Sequence, residues 1–182
     1  MSLRNTNDRY GSLSIGAHWL MLLLLVAVYA SMELRGLFPK GSETREAFKA
    51  WHFMLGLSVL ILATMRLAMT LVGPLPSMES AAANWQKWSA RGMHGALYLF
   101  MLGMPLLGWL MLSAEGKEIP FFGLQLPALA SADKSLAQWA KDMHEAIANA
   151  GYFLVGLHAA AALFHHYALH DNTLTRMLPA RK

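Results

Sequence analysis

The chain has 182 residues, of which 55% are apolar and only 14% are charged. The charged share is far below the ~25% of ordinary soluble domains, and so high an apolar share excludes a disordered chain. The net charge is +4, but the basic residues form no patch, so nucleic acid is not an expected partner. Because the chain contains no cysteine, disulfides, thiolate metal sites, iron–sulfur clusters and thioether-linked cofactors are excluded.

The apolar residues are concentrated in four runs, at 15–32, 53–72, 95–114 and 146–164. Each run is close to the ~20 residues that an α-helix needs to cross ~30 Å of hydrocarbon. A single run of this kind is compatible with a buried core helix, but four in so short a chain favour membrane spans. The first run lacks an obvious cleavage site, so we do not interpret it as a signal peptide. We therefore predict an all-α membrane protein, with residues 1–182 forming one four-helix transmembrane bundle.

Polar linkers separate the four runs. Pro74 and Pro76 stand just after the second run and are expected to close that helix. The third linker, 115–145, is the longest, and we expect it to lie on the membrane surface with a short amphipathic turn. Within it, residues 133–142 are predicted to be helical and to lead straight into the fourth span.

An even number of spans places both ends of the chain at one end of the bundle, which we call the lower end. The lower end carries slightly more Lys and Arg than the upper end, and its net charge is positive. The positive-inside rule therefore favours, weakly, a cytoplasmic lower end. We expect the N- and C-termini to be cytoplasmic.

The chain has eight histidines, an unusual number for so apolar a sequence. An ionisable group inside a membrane is costly to bury unpaired, and neutral imidazole is a common metal ligand. His52 and His144 stand at the starts of the second and fourth runs, so they lie at similar heights near the upper end. His158 comes fourteen residues after His144, about 21 Å lower, which brings it close to the level of His18. The sequence thus predicts an upper pair, His52 with His144, and a lower pair, His18 with His158.

Two histidine pairs about 20 Å apart across a bilayer suit two haem irons, each held from both axial sides. Haem held only by histidine nitrogen is b-type, and an iron with both axial positions filled transfers electrons and does not activate dioxygen. The spacing between His144 and His158 is nearly four helical turns, so both side chains share one face of the fourth helix. Gly56 and Gly156 lie near two of these histidines and would let a flat macrocycle approach the backbone.

Other interpretations of the same residues stay open. Taken singly, an intramembrane histidine is equally well explained as a hydrogen-bond partner between helices. His94 competes with His18 as the partner of His158, although its predicted level is several ångströms lower. His94 and His165 are also candidates for proton donors on a quinone side at the lower edge. Arg66 is a candidate partner of a haem propionate or of membrane phospholipid.

Two further histidines lie at or beyond the lower edge. His166 is explained slightly better by an interfacial position than by proton donation, and His170 is expected to be solvated.

Three segments carry a family resemblance: SIGAHWLMLLLL in the first run, MELRGLFPKG just after it, and MHEAIANAGYFLVGLHAAAALFHHYALHDNTLTRMLP through the fourth. On these segments the chain closely resembles the small bacterial cytochrome b561 proteins of the inner membrane. It also resembles, in a four-helix and two-haem arrangement, the cytochrome b subunits of hydrogenases and formate dehydrogenases. The resemblance covers almost the whole chain. It implies two b haems bound by His18, His52, His144 and His158, a quinone site on the cytoplasmic side, and a multi-pass inner-membrane protein with a cytoplasmic N-terminus.

Small members of this family include superoxide oxidases, which pass electrons from periplasmic superoxide through two haems to ubiquinone. The resemblance therefore implies superoxide as donor and ubiquinone as acceptor, while the catalytic residues stay unknown. Arg35 and Lys40, in the first upper loop, are the candidates for attracting the anion. Two rival functions remain: a non-enzymatic cytochrome b anchor that links a periplasmic redox partner to the quinone pool, and a histidine-lined metal-ion carrier.

Overall fold

The computed structural model describes residues 2–6, 9–74, 76 and 84–178. In this part of the chain four α-helices dominate, and their bounds are α1 Ser12–Arg35, α2 Glu43–Val72, α3 Asn84–Ala114 and α4 Lys134–Tyr167. All four are long and apolar enough to cross a membrane. The predicted four-helix membrane architecture is therefore confirmed, and each helix extends beyond its apolar run at one end or both.

The helices extend beyond the apolar runs because their caps lie in the polar linkers. The Ser42 side chain accepts a hydrogen bond from the backbone N–H of Arg45 at the start of α2. The Asp133 carboxylate accepts two, from the backbone N–H groups of Ser135 and Leu136, at the start of α4. Such caps satisfy amide groups that have no partner inside the helix. The prediction that residues 133–142 are helical and continue into the fourth span is confirmed.

The third linker holds a β-hairpin that the sequence analysis did not predict. Strand β1, Ile119–Phe121, pairs antiparallel with β2, Leu124–Leu126. The turn needs two residues with positive φ, Phe122 at 45° and Gly123 at 86°. Ile119 packs with Leu57 of α2 and Leu112 of α3, so the hairpin covers the middle of α2 and the upper end of α3. Strands of three residues are too short to show an alternating pattern, which is why the sequence suggested only a turn.

Neighbouring helices pack in chain order, α1 on α2, α2 on α3 and α3 on α4. The main core lies between α1, α2 and α3, and its most buried members are Met21, Val59 and Ala63. Helix α4 contributes little to this core, because its buried positions are Ala137, Ala140 and Gly151. Three neighbouring pairs of helices therefore pack closely. The backbones of α1 and α4 stand further apart, and long side chains such as Tyr29 connect them.

One close contact joins α1, α3 and α4 at mid-height. A Cβ atom on Gly151 would collide with the Tyr29 hydroxyl and with the ring of Phe100. The Tyr29 hydroxyl donates a hydrogen bond of 2.7 Å to the Ala148 carbonyl on α4. We call Tyr29, Phe100, Ala148 and Gly151 the waist. Gly151 lies midway in sequence between His144 and His158, so the waist separates the upper end of the bundle from the lower end.

Candidate functional site

The upper histidines lie side by side. His52, near the start of the apolar part of α2, and His144 of α4 have ring centroids 6.2 Å apart and an interplanar angle of 72°. The Nδ1 atom of His52 lies 3.2 Å from the Val28 carbonyl oxygen and 3.3 Å from the Ser31 hydroxyl. Since a carbonyl only accepts, the hydrogen bond to Val28 puts the proton of a neutral ring on Nδ1. The Nε2 lone pair of His52 is then free to bind a metal.

His144 completes the upper pair from the other side. Its Nδ1 is buried and makes no hydrogen bond of normal geometry within the described residues, with the backbone of Met104 as its polar neighbour. The ring lies against Gly108 of α3, where an added Cβ would stand 3.3 Å from the His144 Cε1 atom. Gly108 thus leaves just enough room for the imidazole, and a larger residue there would press on it.

The lower histidines form a group of three. The ring centroid of His158 lies 6.2 Å from that of His18 and 5.8 Å from that of His94. Its predicted height favours His18, but the two rings are almost equally close to His158. The proximity of the rings does not distinguish between them, and His18 and His94 both remain candidate partners of His158.

Arg66 of α2 contacts the same lower group of histidines. Its Nη2 atom lies 3.3 Å from the Nδ1 atom of His18. Because a guanidinium only donates, Nδ1 of His18 accepts here, and the proton of the neutral ring is on Nε2. Binding a metal through Nε2 requires the opposite tautomer, so Arg66 would first have to release the His18 ring. That release would free the guanidinium for a propionate or for membrane phospholipid, the two partners predicted for it.

The spacing of both pairs fits a haem held between two imidazoles. A metal–nitrogen bond to imidazole is about 2 Å long, so two rings on opposite sides of one metal have centroids about 6 Å apart. The upper pair and the His18–His158 pair both stand at 6.2 Å. Within the described ranges no group of three or more His, Cys, Asp or Glu residues could hold a free metal ion. The donor set therefore suits a pair of axial ligands better than a multi-ligand ion site.

His165 and Asp171 form a second set of titratable side chains, which lies below the lower histidines. The Nδ1 atom of His165 lies 2.5 Å from the Oδ2 atom of Asp171, a residue that the sequence analysis missed. Partial burial alone would raise the pKa of Asp171, but hydrogen bonds from His165 and Thr173 outweigh it and lower the pKa below its usual value. The sequence signal that could have identified Asp171 is its position six residues after His165, just beyond the end of α4. His166 has a buried Nδ1 without a partner among the described residues, and His170 is exposed.

The first upper loop holds the cations predicted to attract an anion. Arg45 is already engaged, since its Nη1 atom donates to the carbonyls of Arg35 at 3.1 Å and Phe38 at 2.8 Å. Lys49 forms an ion pair of 2.6 Å with Glu46. Lys40 is exposed. Arg45 therefore braces the loop, while the half-buried Arg35 side chain has the Met32 sulfur as its neighbour at 4.0 Å.

Comparison with known proteins gives a consistent set of matches. The chain matches the family described as prokaryotic cytochrome b561 over residues 9–180. It is 40% identical to cytochrome b561 homolog 1 of Escherichia coli over 96% of this chain and 99% of that protein. It is 37% identical to a protein of Yersinia pestis named probable superoxide oxidase CybB, over 97% of this chain and 99% of that one. It is also 31% identical to cytochrome b562 of Cereibacter sphaeroides, over 94% and 96% of the two chains.

Proposed function

Because the chain belongs to the prokaryotic cytochrome b561 family of b-haem membrane electron carriers, we propose that it uses two b haems to carry electrons from periplasmic superoxide to ubiquinone. The relatives support the family and its electron transfer, and the name of the Yersinia protein suggests the donor. The overall reaction converts two superoxide ions, one ubiquinone and two protons into two dioxygen molecules and one ubiquinol. In this proposal the lower end, with both termini, is cytoplasmic and the upper end is periplasmic.

The observation that carries the proposal is the placement of one histidine pair towards each end of α4. His144 and His158 come from the same face of this helix, and each has an imidazole partner with its centroid 6.2 Å away, His52 above and His18 below. When bound, a b haem would supply a one-electron iron couple at each level. The chain's own contribution is to hold the ligands, and the carbonyl of Val28 orients His52 for this role.

The ligand assignment is tested by haem content. A reduced-minus-oxidised visible spectrum of the purified protein should show b haem, with two haems per chain. His158→Ala should lose the lower haem and about half of the pigment, because that iron depends on both axial imidazoles. His170→Ala, which changes an exposed histidine beyond α4, is the matched control and should keep both haems. If His158→Ala keeps two haems, His158 is not a ligand. A colourless wild-type protein would instead favour the metal-ion carrier.

The choice of partner at the lower level is tested in the same assay. His18→Ala should remove the lower haem if His18 binds it, while His94→Ala should keep it. The reverse outcome would assign the lower iron to His94 and would leave His18 bound to Arg66. Absorption spectra together with haem quantitation are sufficient, since no substrate is involved.

The donor is tested by haem reduction. Superoxide generated in solution should reduce the haems rapidly, superoxide dismutase should abolish this reduction, and added ubiquinone should reoxidise the haems. Superoxide that reduces the haems no faster than in the dismutase control would refute the oxidase. Reduction by dithionite and reoxidation by quinone would then still be expected of an electron-transfer anchor for a periplasmic partner.

The role of the upper loop is tested by charge removal. Replacing Arg35 and Lys40 together with Gln should slow reduction by superoxide several-fold at low ionic strength, and this difference should shrink as salt screens the loop. Lys87→Gln removes a positive charge near the start of α3, at the other end of the bundle, and is the control. Equal rates for the loop variant and the control would mean that this loop does not guide the anion.

A further inference from the structure

We propose that His165 and Asp171 form a proton-delivering dyad for the quinone, in which His165 donates the proton and Asp171 acts as its positioning residue. This inference rests on the proposed function, because it assigns residues to the reducing end of that reaction. It is carried by the geometry of the segment that follows α4.

The segment after α4 turns back so that Asp171 meets His165 twice. The backbone N–H of Asp171 donates to the His165 carbonyl at 3.1 Å, and the Oδ2 atom of its carboxylate accepts from the His165 ring. The other carboxylate oxygen, Oδ1, accepts from the backbone N–H of Thr173 at 2.8 Å. Each oxygen of the carboxylate therefore has its own donor, and the side chain cannot swing away from the imidazole without losing both.

The segment itself is tied to the bundle further along. The indole Nε1 of Trp19 on α1 donates a hydrogen bond of 2.7 Å to the Met177 carbonyl. The short 3₁₀ helix Thr175–Met177 thus lies against the lower end of α1. Its contact there, Trp19, is the residue that follows His18. Asp171 is therefore held between two anchored points, the end of α4 and the lower end of α1, and does not belong to a free tail.

The dyad lies below the lower histidines and can still be reached from outside the bundle. His165 follows His158 by one heptad, so it lies on nearly the same helix face and about 10 Å lower. The side chains of His165 and Asp171 are 26% and 23% exposed, so the ring is sheltered but can still be reached. A segment that only capped the end of α4 would need just the backbone hydrogen bond from Asp171 to the His165 carbonyl. It would not need the second contact, between the two side chains.

The chemistry follows from the tautomer that the carboxylate imposes. Asp171 accepts from Nδ1–H, which directs Nε2 of His165 away from the carboxylate. When His165 is protonated, its Nε2–H bond breaks and an O–H bond forms at a quinone oxygen, while the two electrons come from the two superoxide ions oxidised at the other end. The carboxylate stabilises the imidazolium before the transfer, and water at the lower surface restores the proton. A second such transfer completes the quinol.

Several other charged or titratable groups stand at this end and belong in any account of its pH dependence. His166 is the next residue after His165 on α4 itself. Among the described residues, the groups on the neighbouring elements include His18 on α1, Arg66 on α2, His94 on α3 and Arg176 in the 3₁₀ helix.

The test compares Asp171→Asn with the matched control Asp142→Asn, which removes a carboxylate that is also hydrogen-bonded but lies near the upper start of α4. The haem-loaded protein is reduced with dithionite and mixed with a short-chain ubiquinone, and haem reoxidation is followed from about pH 5.5 to 8.5, the range in which histidine titrates. Asp171→Asn should slow reoxidation about tenfold and move the pH midpoint down by about one unit, because the imidazolium loses its counter-charge. Asp142→Asn should match the wild type, and His165→Gln should be as slow as Asp171→Asn.

A second measurement does not depend on turnover. Nitrogen NMR of histidine-labelled protein should show the neutral His165 ring protonated at Nδ1 in the wild type, and a mixture of both tautomers in Asp171→Asn. A rate loss in Asp171→Asn without a shift of the pH midpoint would mean that the segment has merely loosened, and would overturn the dyad. An Asp171→Asn profile identical to the wild type would overturn it too. If quinone fails to reoxidise the dithionite-reduced wild type, the proposed function itself has failed and the dyad with it.

Discussion

Gly151→Ala is a sharp test of how α1, α3 and α4 meet at the waist. The new Cβ would lie 2.5 Å from the Cζ atom of Phe100 and would also collide with the Tyr29 hydroxyl. Both neighbours are ring groups held by their own helices, so relief requires the helices to separate or Tyr29 to leave its hydrogen bond with Ala148. The substitution therefore tests a contact between three helices with a change of one methyl group.

The expected cost can be worked out from these contacts. Overpacking costs about 2 kcal/mol, and a lost hydrogen bond adds about 1 kcal/mol. Alanine gains about 1 kcal/mol over glycine in a helix, so the net loss of unfolding free energy is about 2 kcal/mol. For a chain of this length that corresponds to a fall in Tm of about 4 to 8 °C. Thermal unfolding in detergent, followed by tryptophan fluorescence, measures it.

Two variants make the test specific. Gly92→Ala places a methyl group at an exposed helical glycine with no atom within 4 Å, so it should be neutral or slightly stabilising. Tyr29→Phe removes one of the two groups that the new methyl meets, so its cost should be smaller in the Gly151→Ala background than in the wild type. A Gly151→Ala protein as stable as the wild type would refute the close packing at the waist, and so would additive costs of the two substitutions.

Three further predictions concern the ends of the bundle. Asp133→Ala should destabilise α4 by about 1 kcal/mol because it removes the N-cap, as measured by thermal unfolding. The Leu129 N–H donates a hydrogen bond of 3.0 Å to the Ser113 hydroxyl. Ser113→Ala should therefore lower the free energy of unfolding by about 1 to 3 kcal/mol and speed amide exchange at Leu129. Ser58→Ala, which loses a hydroxyl bonded within its own helix, is the control. The lowered pKa of Asp171 means that its stabilisation of residues 168–178 is complete at neutral pH, above the ordinary carboxyl pKa, and is lost as the pH falls through the lowered value; amide exchange in that segment should show protection falling in acid.

The sequence was informative wherever a single helix sets the geometry. The rise and twist of an α-helix place His144 and His158 on one face, because no proline interrupts α4. The antiparallel order of the spans then brings His52 and His18 to the matching levels. That arithmetic predicts only the matching levels; the structure adds the separation of the ring centroids, which is 6.2 Å in both pairs.

Contacts between elements were harder to predict. The height of the Cα atom placed His94 below His158, but a long imidazole side chain can reach along the helix surface, and the two rings lie 5.8 Å apart. Asp171 lies outside every apolar run, and only the return of the chain after α4 brings it to His165. The hairpin of residues 119–126 depends on two positive φ angles, which no periodic pattern records.

Helix α4 runs unbroken from Lys134 to Tyr167 and carries one imidazole of each pair. A rigid element shared in this way couples the two levels mechanically, because any slide or rotation of α4 displaces both rings together. A change that shifts α4 as a whole therefore alters both levels at once. Separate adjustment of a ring falls to the opposing helices: α2 supplies an imidazole to the upper pair, while α1 and α3 supply the rings that face His158.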